Sequence, residues 1–205
     1  MRVSWRILFS VWILLGVEPV MAAKYKIRDL QLLPAAEYSA HQDFQEITIG
    51  ARPCITLGCT LELFDTKKLH EKGILPVLIV VENRNPFAVE LDEKSIYLIS
   101  TDNRRHETIS YPDVLITLSS KKPLSHSTGK KDLQARQSVK KEMYVDFETK
   151  SFKKKTIAPQ SIEYGVVFFE RPRMEQLSAA RLYFPEIRNV ETNSSLIFFE
   201  FDLLN

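Results

Sequence analysis

The chain has 205 residues, 44% of them apolar and 26% charged, with six Gly, ten Pro, two Cys and a formal charge of +2. That apolar fraction can fill a core, which excludes collagen-like, Gly/Ser-rich and disordered chains, and two cysteines cannot staple a disulfide-dense mini-protein. The length suits one domain of about 180 residues after processing, and the overall charge is too near neutral to name a partner.

The N-terminus carries the clearest signal. Arg2 and Arg6 precede an apolar run from Ile7 to Val17; Glu18 and Pro19 end it, and Val20, Met21 and Ala22 suit a cleavage site. This is the order of a secretory signal peptide over residues 1–22, and the run is too short for the roughly 20 apolar residues of a membrane span. No second hydrophobic stretch of spanning length follows and no Cys lies near the cut. The expectation is an exported protein, periplasmic or extracellular, whose mature chain (23–205) has no transmembrane segment and forms a single domain.

Lys24 to Leu33 reads as a first strand and Phe44 to Ile49 as a second apolar segment. Cys54 and Cys59 follow in CITLGC. In an oxidising compartment they can form a structural disulfide worth about 2 kcal/mol, with Gly58 supplying a positive φ; two buried thiols, or redox or metal chemistry, are the alternatives. Leu61 to Glu71 suggests one short helix with Gly73 at its C-terminal cap. Ile74 to Val81 is a continuous, β-branched run, as in a strand buried on both faces, with Pro76 near its start or at an irregular edge. Turn residues at Asn83 to Pro86 lead to strands at Phe87–Leu91 and Ser95–Ile99, and Pro112 to Leu118 can open a helix. Lys130 to Glu148 is expected as one helix, because Val139, Met143 and Phe147 recur at four-residue spacing; Met143, Val145 and Phe147 also alternate as in a strand. Ser161–Phe169, Ala180–Phe184 and Leu196–Leu204 complete the strands. The fold class is therefore mainly β: an Ig-like two-sheet sandwich with one to three short helices inserted.

Charge is segregated. Residues 120–155 hold eleven Lys/Arg against four Asp/Glu, a local net of +7, which leaves −6 for the rest of the mature chain. Lys130, Lys131, Lys140, Lys141, Lys153, Lys154 and Lys155 are the candidates for binding an anionic polymer or lipid headgroup. Tyr144, Phe147 and Phe152 lie among them, but their spacing equally suits packing on the sandwich, and secretion argues against nucleic acid. A solvated basic loop is the plainer alternative.

For catalysis there is no His-Glu-x-x-His zinc helix, no Gly-x-Ser-x-Gly elbow and no Gly-rich phosphate loop. His41, His70, His106 and His126 are scattered without metal-ligand spacing, Asp92 and Glu93 beside Lys94 read as a solvated turn, and Thr48, Ser100 and Ser110 have no nearby base. Asn193 to Ser195 fits the glycosylation sequon, which matters only in a host with that machinery. No catalytic residue, cofactor or metal site is expected.

Two blocks carry a resemblance. GILPV running into VLIVVENRNPF, then SIYLISTDNRR, form the first; KSF, TIAPQSIEYGVVFFERP and the closing LIFFEFDL form the second. Together they resemble a group of bacterial extracytoplasmic Ig-like β-sandwich proteins, often lipid-anchored, with a more distant similarity to the water-stress and hypersensitive-response domain. The resemblance implies the architecture and an envelope setting, with no transferable activity; the absent anchoring Cys departs from it. The functional expectation is a non-catalytic binding or assembly module of the bacterial envelope whose partner is another envelope protein, with anionic-surface binding through residues 121–155 as the alternative.

Overall fold

The computed structural model describes residues 24–120 and 131–204; the expected leader, His126 and Lys130 lie outside them. Among the described residues ten strands form two antiparallel sheets. The first has the order β1 (Ala40–Phe44), β2 (Ile47–Pro53), β3 (Ile74–Asn83), β8 (Ser161–Glu170). The second runs β6 (Arg105–Glu107), β5 (Tyr97–Ile99), β9 (Arg181–Asn189), β4 (Val89–Leu91), β7 (Lys155–Ile157), with β10 (Ser195–Asp202) on the other edge of β9. Between the sheets, Ile49, Val77, Ile79, Val81, Val167 and Phe169 meet Val89, Leu98, Leu182, Phe184 and Phe199 in one buried core.

A second core lies on the opposite face of the first sheet. Side chains alternate along a strand, so Leu78 and Val80 of β3 and Val166 and Phe168 of β8 point away from the sandwich, and all four are buried. They are covered by α1 (Leu57–Leu63), α2 (Lys68–Glu71), α3 (Tyr111–Ser119), α4 (Lys131–Ser138) and α5 (Lys141–Lys150). The architecture has three layers, sheet on sheet on helices. This explains why β3 is apolar from Ile74 to Val81: that stretch is buried on both faces, as its unbroken run anticipates. A further short helix, α6 (Met174–Leu177), precedes β9, so the described residues carry six α-helices where one to three were expected.

β3 and β8 pair over ten residues without a shift, Ile74 opposite Glu170 through Asn83 opposite Ser161. Pro76 falls just beyond the end of β2, which closes at Pro53 opposite Val77. Its carbonyl accepts from the Cys54 N–H at 2.9 Å on that side, and the ladder stops there because proline has no N–H to return. Gly165 is required by close approach: a Cβ there would come within 2.6 Å of the Phe152 Cα.

Several local expectations change. Residues 24–33 form no strand; they run as an irregular segment pinned where Asp65 accepts from the Lys26 N–H (2.9 Å) and the Arg28 guanidinium (2.8 Å). The single helix over 61–71 is two, because Phe64 leaves α1 in an extended conformation and buries its ring on Phe147, with centroids 4.1 Å apart. Burying an aromatic of that size outweighs a few helical propensities. Lys140, also extended, divides the helix expected over 130–148 into α4 and α5. Gly58 lies inside α1, and among the described residues the glycine with positive φ is Gly73, at +66°, after α2.

Candidate functional site

The helical layer holds an open groove of about 560 Å³ between α1, the end of α3 and the α4–α5 junction. Leu57, Leu61, Leu118, Val139 and Met143 form its apolar wall together with Tyr25 from the N-terminal segment. Leu57 is 40% exposed, and Leu61, Val139 and Met143 are half-buried. Lys67, Lys68 and Lys140 stand at the groove. Its carboxylate, Asp65, is already engaged by Arg28 and is held below the usual carboxylate range first by that hydrogen bond and then by the one from Lys26.

Local sequence builds each wall. Thr56 caps α1, its hydroxyl accepting from the Cys59 N–H at 3.3 Å, and places Leu57 and Leu61 one turn apart on one side. Cys54 and Cys59 are joined by a disulfide with Cα atoms 5.1 Å apart, which ties the end of β2 to this helix. Val139 and Met143 keep their four-residue spacing across the α4–α5 break. Beside the groove, the Tyr25 hydroxyl donates to Asp146 at 2.6 Å, and the Lys150 ammonium bridges Asp146 at 2.7 Å and the Leu63 carbonyl at 2.8 Å. Burial, then the bond to Asp146, push the Tyr25 hydroxyl above the usual phenol range. This buried cluster clamps the N-terminal segment onto α5. The Asp146–Lys150 half is legible as an i,i+4 pair; Tyr25 is 121 positions away and gave no local signal.

The candidate lysines do not act alike. Lys154 pairs with Glu90 at 2.9 Å and Lys155 with Glu163 at 2.7 Å, while Lys153 lies 5.0 Å from the Tyr111 ring centroid. These three flank or form the edge strand β7. Lys140 and Lys141 are exposed at the start of α5 with no ion pair among the described residues, and Lys140 is the one that reaches the groove. Lys131 begins α4. Phe147 and Phe152 are fully buried and Tyr144 nearly so, so they pack in the cores and do not face solvent among the cations.

Two readings of other polar residues need correction. Ser100 does have a base close by: its Oγ is 3.1 Å from His106 Nε2 and donates to Asp102 at 2.5 Å. The carboxylate thus engages the serine and does not orient the histidine, and Ser100 is 1% exposed, which is not the arrangement of a catalytic triad. Glu93 is half-buried in a short 3-10 turn, not solvated; burial first and Asp92 second raise its pKa to about 7. His41 contacts the Tyr38 carbonyl and His70 the Arg171 guanidinium. Among the described residues no His/Cys/Asp/Glu group is placed to hold a metal ion, and no helix is long and apolar enough to cross a membrane.

No family model and no curated protein matches this chain. Among solved structures it is similar to the yjhA protein of Bacillus subtilis, at 8% identity over 72% of this chain and 78% of that one, with a TM-score of 0.41. A candidate lipoprotein of the same species, ycdA, is 11% identical over 81% of this chain, which spans 39% of that protein, with a TM-score of 0.40. A structural-genomics target, SoR45, is 10% identical over 78% of this chain and 88% of its own, with a TM-score of 0.35.

Proposed function

We propose that this protein is a non-catalytic binding or assembly module of the bacterial cell envelope, working outside the cytoplasm, with the helical layer as its binding face. The observation that carries the reading is the groove: apolar side chains left half-exposed in a concavity of the helical layer. The leader-like N-terminus and a disulfide, which persists in oxidising compartments, support the setting. Strand addition at β10 has less in its favour. β10 is paired along β9, carries two register shifts, and its Glu200 N–H already donates to Gln42 of β1 at 3.0 Å.

The test is capture from envelope extract by the exported protein in low and high salt, comparing the native chain with Leu57→Glu on the helical layer and Arg105→Glu on the far face of the second sheet. The expected result is a defined partner that survives high salt and Arg105→Glu but is lost with Leu57→Glu. Retention that ignores Leu57→Glu, or no retention at all, overturns the reading. Lys140 and Lys141, exposed and without an ion pair among the described residues, favour the anionic-surface alternative, for which retention occurs only in low salt.

A further inference from the structure

We infer that the groove on the helical layer takes a single acyl chain carrying an anionic headgroup; the inference rests on the helical layer being the binding face. The groove's volume of about 560 Å³ lies in the range of ligand-sized sites. Its walls are two short apolar stripes, Leu57 with Leu61 and Val139 with Met143, each pair four residues apart, closed by buried Leu118. A linear hydrocarbon fits such a channel because it asks for contact and no directional partner. Tyr25, the one aromatic residue of the lining, is 6% exposed and has its hydroxyl committed to Asp146, so the site offers little for stacking or for reading a polar ring.

The charges at the opening set the headgroup. Lys67 reaches Glu71 at 3.1 Å and Lys68 donates to the Leu118 carbonyl at 3.2 Å, while Lys140 is exposed with no carboxylate partner among the described residues. Asp65 is neutralised by Arg28. With Glu71 paired to Lys67 and Asp65 to Arg28, Lys68 and Lys140 are the groove lysines left without a carboxylate partner among the described residues, and they attract an anion and disfavour a cationic amphiphile. The same lysine that belongs to the basic stretch of the sequence thereby serves the apolar groove.

Isothermal titration of the purified protein with octanoate, decanoate and dodecanoate, below micelle-forming concentrations and at fixed ionic strength, tests this. Each added pair of methylenes tightens binding by roughly tenfold. Dodecyltrimethylammonium binds at least tenfold more weakly than dodecanoate. Leu57→Glu, at an exposed position that should not disturb folding, weakens dodecanoate at least tenfold with an unchanged melting temperature. Lys140→Glu erodes the headgroup preference while leaving the chain-length increment intact. Absence of saturable binding, affinity indifferent to chain length, or binding untouched by Leu57→Glu overturns the inference. If dodecanoate fails while envelope capture still depends on Leu57, an amphipathic protein segment is the occupant: this inference falls and the proposed function stands. If both are indifferent to Leu57, both fall.

Discussion

Asn83 shows how one side chain can join two sheets. It ends β3 almost fully buried, and its amide donates to the carbonyls of Phe87 (2.9 Å), Ala158 (3.1 Å) and Ile157 (3.2 Å), reaching from the first sheet to the end of β7 in the second. Its carbonyl accepts from the Asn85 N–H at 3.1 Å, which shapes the Asn-Arg-Asn-Pro turn. Removing it orphans several buried acceptors, so Asn83→Ala should cost about 1–3 kcal/mol, read as a lower urea midpoint at unchanged m-value. Glu93 supplies a pH signature. Its pKa is raised from 4.5 to about 7, so the native state holds a proton that the unfolded chain has released. The contribution is full below 4.5 and is lost as pH rises through about 7. Melting temperatures should therefore fall between pH 5 and 8 in the native chain. Glu93→Gln should flatten that slope and gain about 1–2 kcal/mol at pH 8, allowing for partial solvent screening. An unchanged slope would mean that Glu93 is solvated after all.

Among the elements, the disulfide and α1 form a unit. The bridge closes a six-residue loop from Cys54 to Cys59 and holds the helix that bears Leu57 and Leu61. Reduction should cost about 2 kcal/mol on the chain-entropy model, seen as a lower unfolding midpoint in dithiothreitol than in buffer. Dodecanoate affinity should fall with it, because the groove loses one positioned wall. The spacing of the cysteines allowed this bond without deciding it, since five positions of separation also suit two free thiols. The helix boundaries were legible only in part. Gly73 and Pro112 mark ends through backbone restrictions of their own. The break at Phe64 comes from stacking on Phe147 and Phe168, which lie 83 and 104 positions further on, and no local pattern encodes it. The same holds for Lys154 and Lys155: they read as free cations until Glu90 and Glu163 arrive from neighbouring strands.

At the scale of the whole molecule, the central sheet belongs to both cores. Val77 and Phe169 face the sandwich while Leu78 and Phe168 face the helices, on the same two strands. Damage to either core should therefore pull on both. Phe147→Ala, which removes a fully buried ring from the helical side, should cost about 3–5 kcal/mol. Far-ultraviolet and tyrosine near-ultraviolet circular dichroism should lose signal in one coincident transition. Separate transitions would show the helical layer to be an independent unit. Trp5 and Trp12 lie in the expected leader, so a processed chain offers tyrosine as its probe.

By itself the sequence determined what depends on short-range chemistry. The apolar run of β3 announces burial on both faces, the Asn-Arg-Asn-Pro turn follows from side-chain bonding to nearby backbone, and the β-branched and aromatic run over residues 161–169 marks a strand. These suffice for a mainly β sandwich. Only the tertiary structure decided that the helices gather into a third layer, that Tyr25, Asp146 and Lys150 meet, and that Lys140 joins Leu57 and Met143 at one groove. Those juxtapositions arise from packing between segments far apart in the chain. Residue type and local spacing carry no information about which distant surfaces will meet.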